Sequence, residues 1–141
     1  MPHFVRQTIN ISAPPEKVWQ ALTDPDITRK YFFNARVLSD WTPGSPITFK
    51  GRLFWVIPYT MNGKILEIEP GRRLKYQLQN GKGERQTTST VTDTLELRDG
   101  KTIVNITDDV GQGEGAHKRY RRSVKGWKKI LKGLKQTVEQ Q

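Results

Sequence analysis

A chain of 141 residues that is 34% hydrophobic has the size of a single domain, here residues 1–141, with apolar side chains for one core and not two. It contains no cysteine, which excludes a disulfide framework, a thiolate nucleophile and a zinc-thiolate site, so neither metal nor cofactor is expected. Net charge is +10, yet nine Lys or Arg and no acid lie between His117 and Lys135, which leaves the remainder at +1.

Val5, Gln7, Ile9 and Ile11 alternate with Arg6, Thr8 and Asn10, the period of a strand with one buried face. Ser12 is placed to cap a helix, and Pro14-Pro15 falls in or just before its first turn. Val18, Trp19 and Leu22 then recur at helical spacing until Thr23-Asp24-Pro25 stops the helix and starts a second, to about Lys30. Further strands are expected over residues 35–39, 47–55 (interrupted by Gly51), 59–68, 74–79, 88–97 and 102–108. The later ones are divided by EPGRR, NGKGER and RDGK, which carry the glycine of tight connections. GQGEG, residues 111–115, reads as a hinge into a final helix over about 116–138.

In that helix His117, Tyr120, Val124, Trp127, Leu131, Leu134 and Val138 are spaced alternately three and four apart, a stripe that must be covered by something apolar. Antiparallel strands with apolar faces supply the cover, because a twisted sheet curls around one long helix. The expected class is therefore α+β with a helix-grip architecture. A curved antiparallel sheet of about six to seven strands wraps a long C-terminal helix, two short helices come after the first strand, and a groove lies between sheet and helix.

The run from Ile9 to Phe33 resembles the opening of the activator of heat-shock protein 90 ATPase homologue-like family, part of the START-related helix-grip superfamily. The resemblance continues through DWTPGSPITF (residues 40–49), GKILEIEPGRRL (63–74), VTDTL (91–95), residues 102–107, and Gly126-Trp127 followed by Leu131 and Leu134. It implies the same fold, with a cavity that holds a small apolar or aromatic ligand or is packed core. Two positions depart from the family pattern: Gly44-Ser45-Pro46 stands where paired glycines are common, and Asp93 where an aromatic residue is common.

Aromatic and apolar side chains on inward faces are the candidate ligand contacts: Phe32, Phe49, Met61, Tyr76, Tyr120 and Val124. Trp19 and Trp127 are expected in the core. Asp93 joins the candidates because Val91, Leu95 and Leu97 share its strand face, and a carboxylate there costs several kcal/mol unless paired. It either orients a ligand, acts as an acid, or bonds to a neighbouring Thr, Tyr or Lys at the core's edge. Asp108 and Asp109 read as loop carboxylates beside the hinge, within reach of a contact with His117.

No nucleophile elbow or phosphate loop is present. An enzyme of the polyketide-cyclase type would rest on Asp93 and His117, and a non-enzymatic role is favoured. On the outer face of the final helix, Arg121, Lys125 and Lys128 represent a cationic surface without compensating acids, suited to an acidic protein partner. Aromatics for base stacking do not interleave there, so nucleic acid is disfavoured. The opening MPHFVRQ lacks the apolar run of a secretory signal and no stretch has the length of a membrane span, from which a cytoplasmic setting is expected.

Overall fold

Alternation along the chain becomes one sheet in a computed structural model of the protein, which describes residues 4–53, 56–80 and 87–140. In chain order the elements are β1 (Phe4–Ile11), α1 (Pro15–Thr23), α2 (Pro25–Tyr31), β2 (Arg36–Ser39), β3 (Pro46–Leu53), β4 (Ile57–Glu69), β5 (Arg73–Asn80), β6 (Thr87–Arg98), β7 (Lys101–Asp109) and α3 (Ala116–Glu139). The seven strands lie in the order β1-β7-β6-β5-β4-β3-β2, every neighbouring pair antiparallel. Hairpins make every link but one, since β1 reaches its place beside β7 from the far end of the sequence. Phe54 and Trp55, expected to end the third strand, lie outside the described residues, as does most of the NGKGER turn.

The start of α1 does not use Ser12. Pro14 is the N-cap in an extended conformation without a side-chain cap, and Pro15 at the first helical position has no N–H to satisfy. The Ser12 N–H instead donates to Glu139 Oε2 at 2.8 Å. Asp24 serves both short helices: its N–H donates to Gln20 O at 2.9 Å, and its carboxylate accepts from Asp26 N at 2.9 Å. Buried Thr28 ties α2 to β2, donating to Ala35 O and accepting from Val37 N, each at 3.0 Å.

The core lies between the inner sheet face and α3, with Trp127, Ile130, Leu131, Leu134 and Val138 buried. The expected stripe holds only in its second half. His117 is exposed while Tyr120 and Val124 are half-buried, because a strict seven-residue repeat drifts by about 20° per heptad on a straight helix. Two glycines permit close approaches: a Cβ on Gly63 would stand 2.0 Å from Gln77 O, and one on Gly133 would stand 2.9 Å from Tyr31 Cβ. Leu97, expected to share the inner face with Asp93, is 61% exposed beside the Asp99-Gly100 turn, and Trp19 is only partly buried against the core.

Candidate functional site

On β7 the inward positions are Thr102, Val104, Ile106 and Asp108, and on β6 they include Val91, Asp93 and Leu95. The register pairs Asp93 with Ile106 and Val91 with Asp108. Two carboxylates are thereby diagonal neighbours on the apolar face of the sheet. Asp93 is 4% exposed and Asp108 5%, and Oδ1 of each is buried without a hydrogen-bond partner among the described residues.

The second oxygen of Asp108 is engaged from α3. Asp108 Oδ2 accepts from Ser123 Oγ at 2.6 Å and from Trp127 Nε1 at 2.9 Å, both on α3. Burial raises the Asp108 pKa, and these two hydrogen bonds oppose the rise. Asp93 is pushed up to about 7 by burial, with the Asp108 charge adding to the effect. The phenols of Tyr31 and Tyr76 are raised as well, first by burial and then by the Asp93 charge, and remain protonated at neutral pH. Tyr31 donates to Ala21 O at 2.6 Å.

Two spaces meet at this pair. An inner cavity of about 30 Å³ is bordered by Tyr31, Phe32, Phe49, Tyr76, Asp93 and Trp127, which is room for about one water molecule. A cleft of about 390 Å³ opens between the first half of α3 and strands β4 to β7, a size within the range of small-molecule sites. Met61, Leu78, Ser89 and Asp108 form its sheet side, and Arg119, Arg122, Ser123 and Trp127 its helix side. Phe32, Trp127 and Ile130 border both spaces. Phe32 and Trp127 meet edge to face with ring centroids 5.8 Å apart, a favourable aromatic geometry that forms the partition.

Local backbone places the partition. After α2, Phe33 and Asn34 adopt positive φ of 48° and 61°, which turns the chain into β2, with Phe32 against the core and Phe33 partly exposed at the cleft. Arg119 fixes the other rim: its guanidinium donates to Val110 O, Glu114 O and Gln112 O at 3.0, 2.8 and 3.3 Å, fastening the glycine-rich connection to α3.

The expected ligand contacts are therefore divided. Phe49, Tyr76 and Asp93 border the inner cavity, Met61 the cleft, and Phe32 both, while Tyr120 and Val124 pack partly buried against the core and border neither. Asp108 is a correction, being a buried strand residue and not a loop carboxylate; its period-two position after Val104 and Ile106 carried the signal. His117 is exposed and borders neither space, and Asp108 is held by Ser123 and Trp127. Arg121, Lys125 and Lys128 are exposed on the outer face of α3. No cluster of three potential metal ligands occurs among the described residues, and no helix there is long and apolar enough to cross a membrane.

The fold is similar to that of solved structures. Protein MLL2253 from Mesorhizobium loti superposes with a TM-score of 0.83 at 22% identity, over 97% of each chain. The solution structure of ChR145 from Cytophaga hutchinsonii gives 0.76 at 32% identity, over 97% of this chain and 94% of that one. The Aha1 dimer from Colwellia psychrerythraea gives 0.75 at 24%, over 96% of each. Among curated proteins no match was found. The family described as Activator of Hsp90 ATPase homolog 1-like protein matches residues 12–139, and this protein, with its helix-grip fold, belongs to that family.

Proposed function

We propose that the domain binds a small apolar or aromatic molecule in the cleft between α3 and strands β4 to β7, without transforming it. The observation that carries this reading is the roughly 390 Å³ cleft bordered by Asp108, one of whose carboxylate oxygens is buried without a partner among the described residues. A buried acceptor left unsatisfied is costly, and a ligand hydroxyl or N–H would supply what Asp108 Oδ1 lacks once the carboxylate turned this enclosed oxygen toward the cleft. Phe32, Met61, Leu78 and Trp127 offer the apolar walls. The inner cavity is too small for such a ligand, so Asp93 would be reached only if the Phe32–Trp127 partition moved.

Thermal unfolding against a panel of hydrophobic probes, flavonoid-like and lipid-like molecules tests the reading. A ligand present at 100 times its Kd stabilises by about 2.7 kcal/mol, a rise of several degrees in melting temperature. Met61→Trp, which fills the cleft from the sheet side, should abolish the rise while leaving the unliganded melting temperature little changed. A panel that moves neither the melting temperature nor the amide spectrum overturns the reading.

A second reading has its own support in the exposed Arg121, Lys125 and Lys128 and the acid-free sequence around them. On it, the outer face of α3 meets an acidic protein. Reversing the three charges should then weaken capture of that partner, and capture that survives both reversal and high salt would count against it.

A further inference from the structure

A second concentration of positive charge lies away from the outer face of α3. Where the end of α2 meets β2, β3 and β4, a hollow of about 660 Å³ is bordered by Arg29, Lys30, Arg36, Lys50 and Arg52 and, among the described residues, by no carboxylate. These cations come from three elements, and the register makes their gathering unfavourable in itself. Arg36 and Lys50 face each other directly across β2 and β3, a position where like charges repel. The sole ion pair among the five in the described residues is Arg36 with Asp26, at 3.3 Å and largely exposed, which contributes little.

Beside this hollow the chain exposes apolar side chains. Val56 is 73% exposed and Ile57 53%, and they lead directly into Pro58 and Tyr59, which border the hollow. On its other side, Tyr59 OH donates to Phe33 O at 2.8 Å. Phe33 is 42% exposed and carries Lys129 Nζ over its ring at 5.6 Å. The cationic surface thus continues from the hollow to α3, with apolar groups at its margin.

We propose that this face docks on an anionic phospholipid surface, the hollow receiving lipid phosphates while Val56 and Ile57 enter the boundary between headgroups and acyl chains. The juxtaposition selects this partner. A free phosphate would use the cations and leave the two aliphatic side chains in water, and a nucleic-acid backbone offers them nothing apolar. An anionic bilayer presents negative charge and, about 5–10 Å deeper, an apolar layer, and basic residues near its surface are attracted by its potential.

The test is flotation of the full chain with two kinds of vesicle, phosphatidylcholine alone and phosphatidylcholine containing about one third phosphatidylserine. Binding to the second kind only is expected, weakening with added salt. Lys50→Glu with Arg52→Glu should weaken binding by at least about twenty-fold, each lost cation counting about fivefold. Val56→Asp with Ile57→Asp should weaken it at fixed salt, and all four positions are on the surface, so melting temperatures serve as the folding control. The same charge change on α3, Arg121→Glu with Lys125→Glu, should cost no more than a few-fold. Equal binding to both vesicles, equal losses from the two charge reversals, or full binding by the Val56→Asp, Ile57→Asp variant would each overturn the proposal. So would displacement of the bound protein by inorganic phosphate at concentrations that leave ionic strength unchanged.

Discussion

From Trp127 to Val138, α3 buries five side chains against the sheet and the short helices, whereas from Ala116 to Gly126 only Ala116 is buried. The same helix is a core element along one half and the wall of an open cleft along the other. The difference separates stability from recognition along a single element: the second half can hold the fold while the first leaves space beside Asp108. The two carboxylates obey the same division. Asp93 borders the small inner cavity, and Asp108 borders the cleft with one oxygen engaged by Ser123 and Trp127.

Truncating each half separates them most strongly. Leu134→Ala removes a side chain that is 1% exposed and should cost about 2–5 kcal/mol in urea denaturation. Val124→Ala, on the half-buried stretch, should cost under about 1 kcal/mol. Similar losses at both positions would erase the distinction.

Titration sharpens the contrast between the carboxylates. Asp93 has an ordinary pKa of 3.8 in the unfolded chain and about 7 in the fold. Between those values the unfolded state releases its proton first, so stability should fall as pH rises from about 4 to about 7 and level off above that. Asp93→Asn should remove much of this decline, worth up to about 4 kcal/mol. Asp108→Asn should remove less, since its hydrogen bonds offset part of the burial. Equal slopes in the wild type and the Asp93→Asn variant, from denaturation at several pH values, would contradict the assignment.

Glycines give the finest comparison. Gly133→Ala forces a Cβ to 2.9 Å from Tyr31 Cβ and should destabilise by about 1–3 kcal/mol. Gly126→Ala meets nothing within 4 Å, and its better helical preference should stabilise by about 0.5–1 kcal/mol. Calorimetry on the two variants reads opposite signs if the halves differ as described.

Much of this scaffold was legible in the sequence because an antiparallel sheet with one buried face writes its period directly into the residues. The final helix was expected over 116–138 and spans Ala116–Glu139. The site was harder to see. Asp108 stands next to a second aspartate and a glycine-rich stretch, which mimics a loop, although its alternation with Val104 and Ile106 placed it inward. Division of the aromatics between two spaces depends on cross-strand register, including the irregularity between Ile65 and Glu67 on β4, and no single segment encodes that. Nor does charge counting reveal the hollow at α2. Its five cations are scattered between Arg29 and Arg52 among acids elsewhere, so their sum looks unremarkable until pairing brings them together.

The fastening of residues 10–12 to the end of α3 has a consequence for how the chain folds. Lys135 Nζ donates to Asn10 O at 2.6 Å, Ser12 N donates to Glu139 Oε2, and Lys135 pairs with Glu139 at 2.8 Å. β1 packs on β7 and on α3, both about a hundred residues later. Emerging before both during synthesis, this strand meets neither neighbour until the intervening chain has been made, at about 5–20 residues per second. Loop-closure entropy over that separation makes this pairing slower than the hairpins, and β1, an edge strand of the sheet, gains β7 before the last helix arrives to fasten its end.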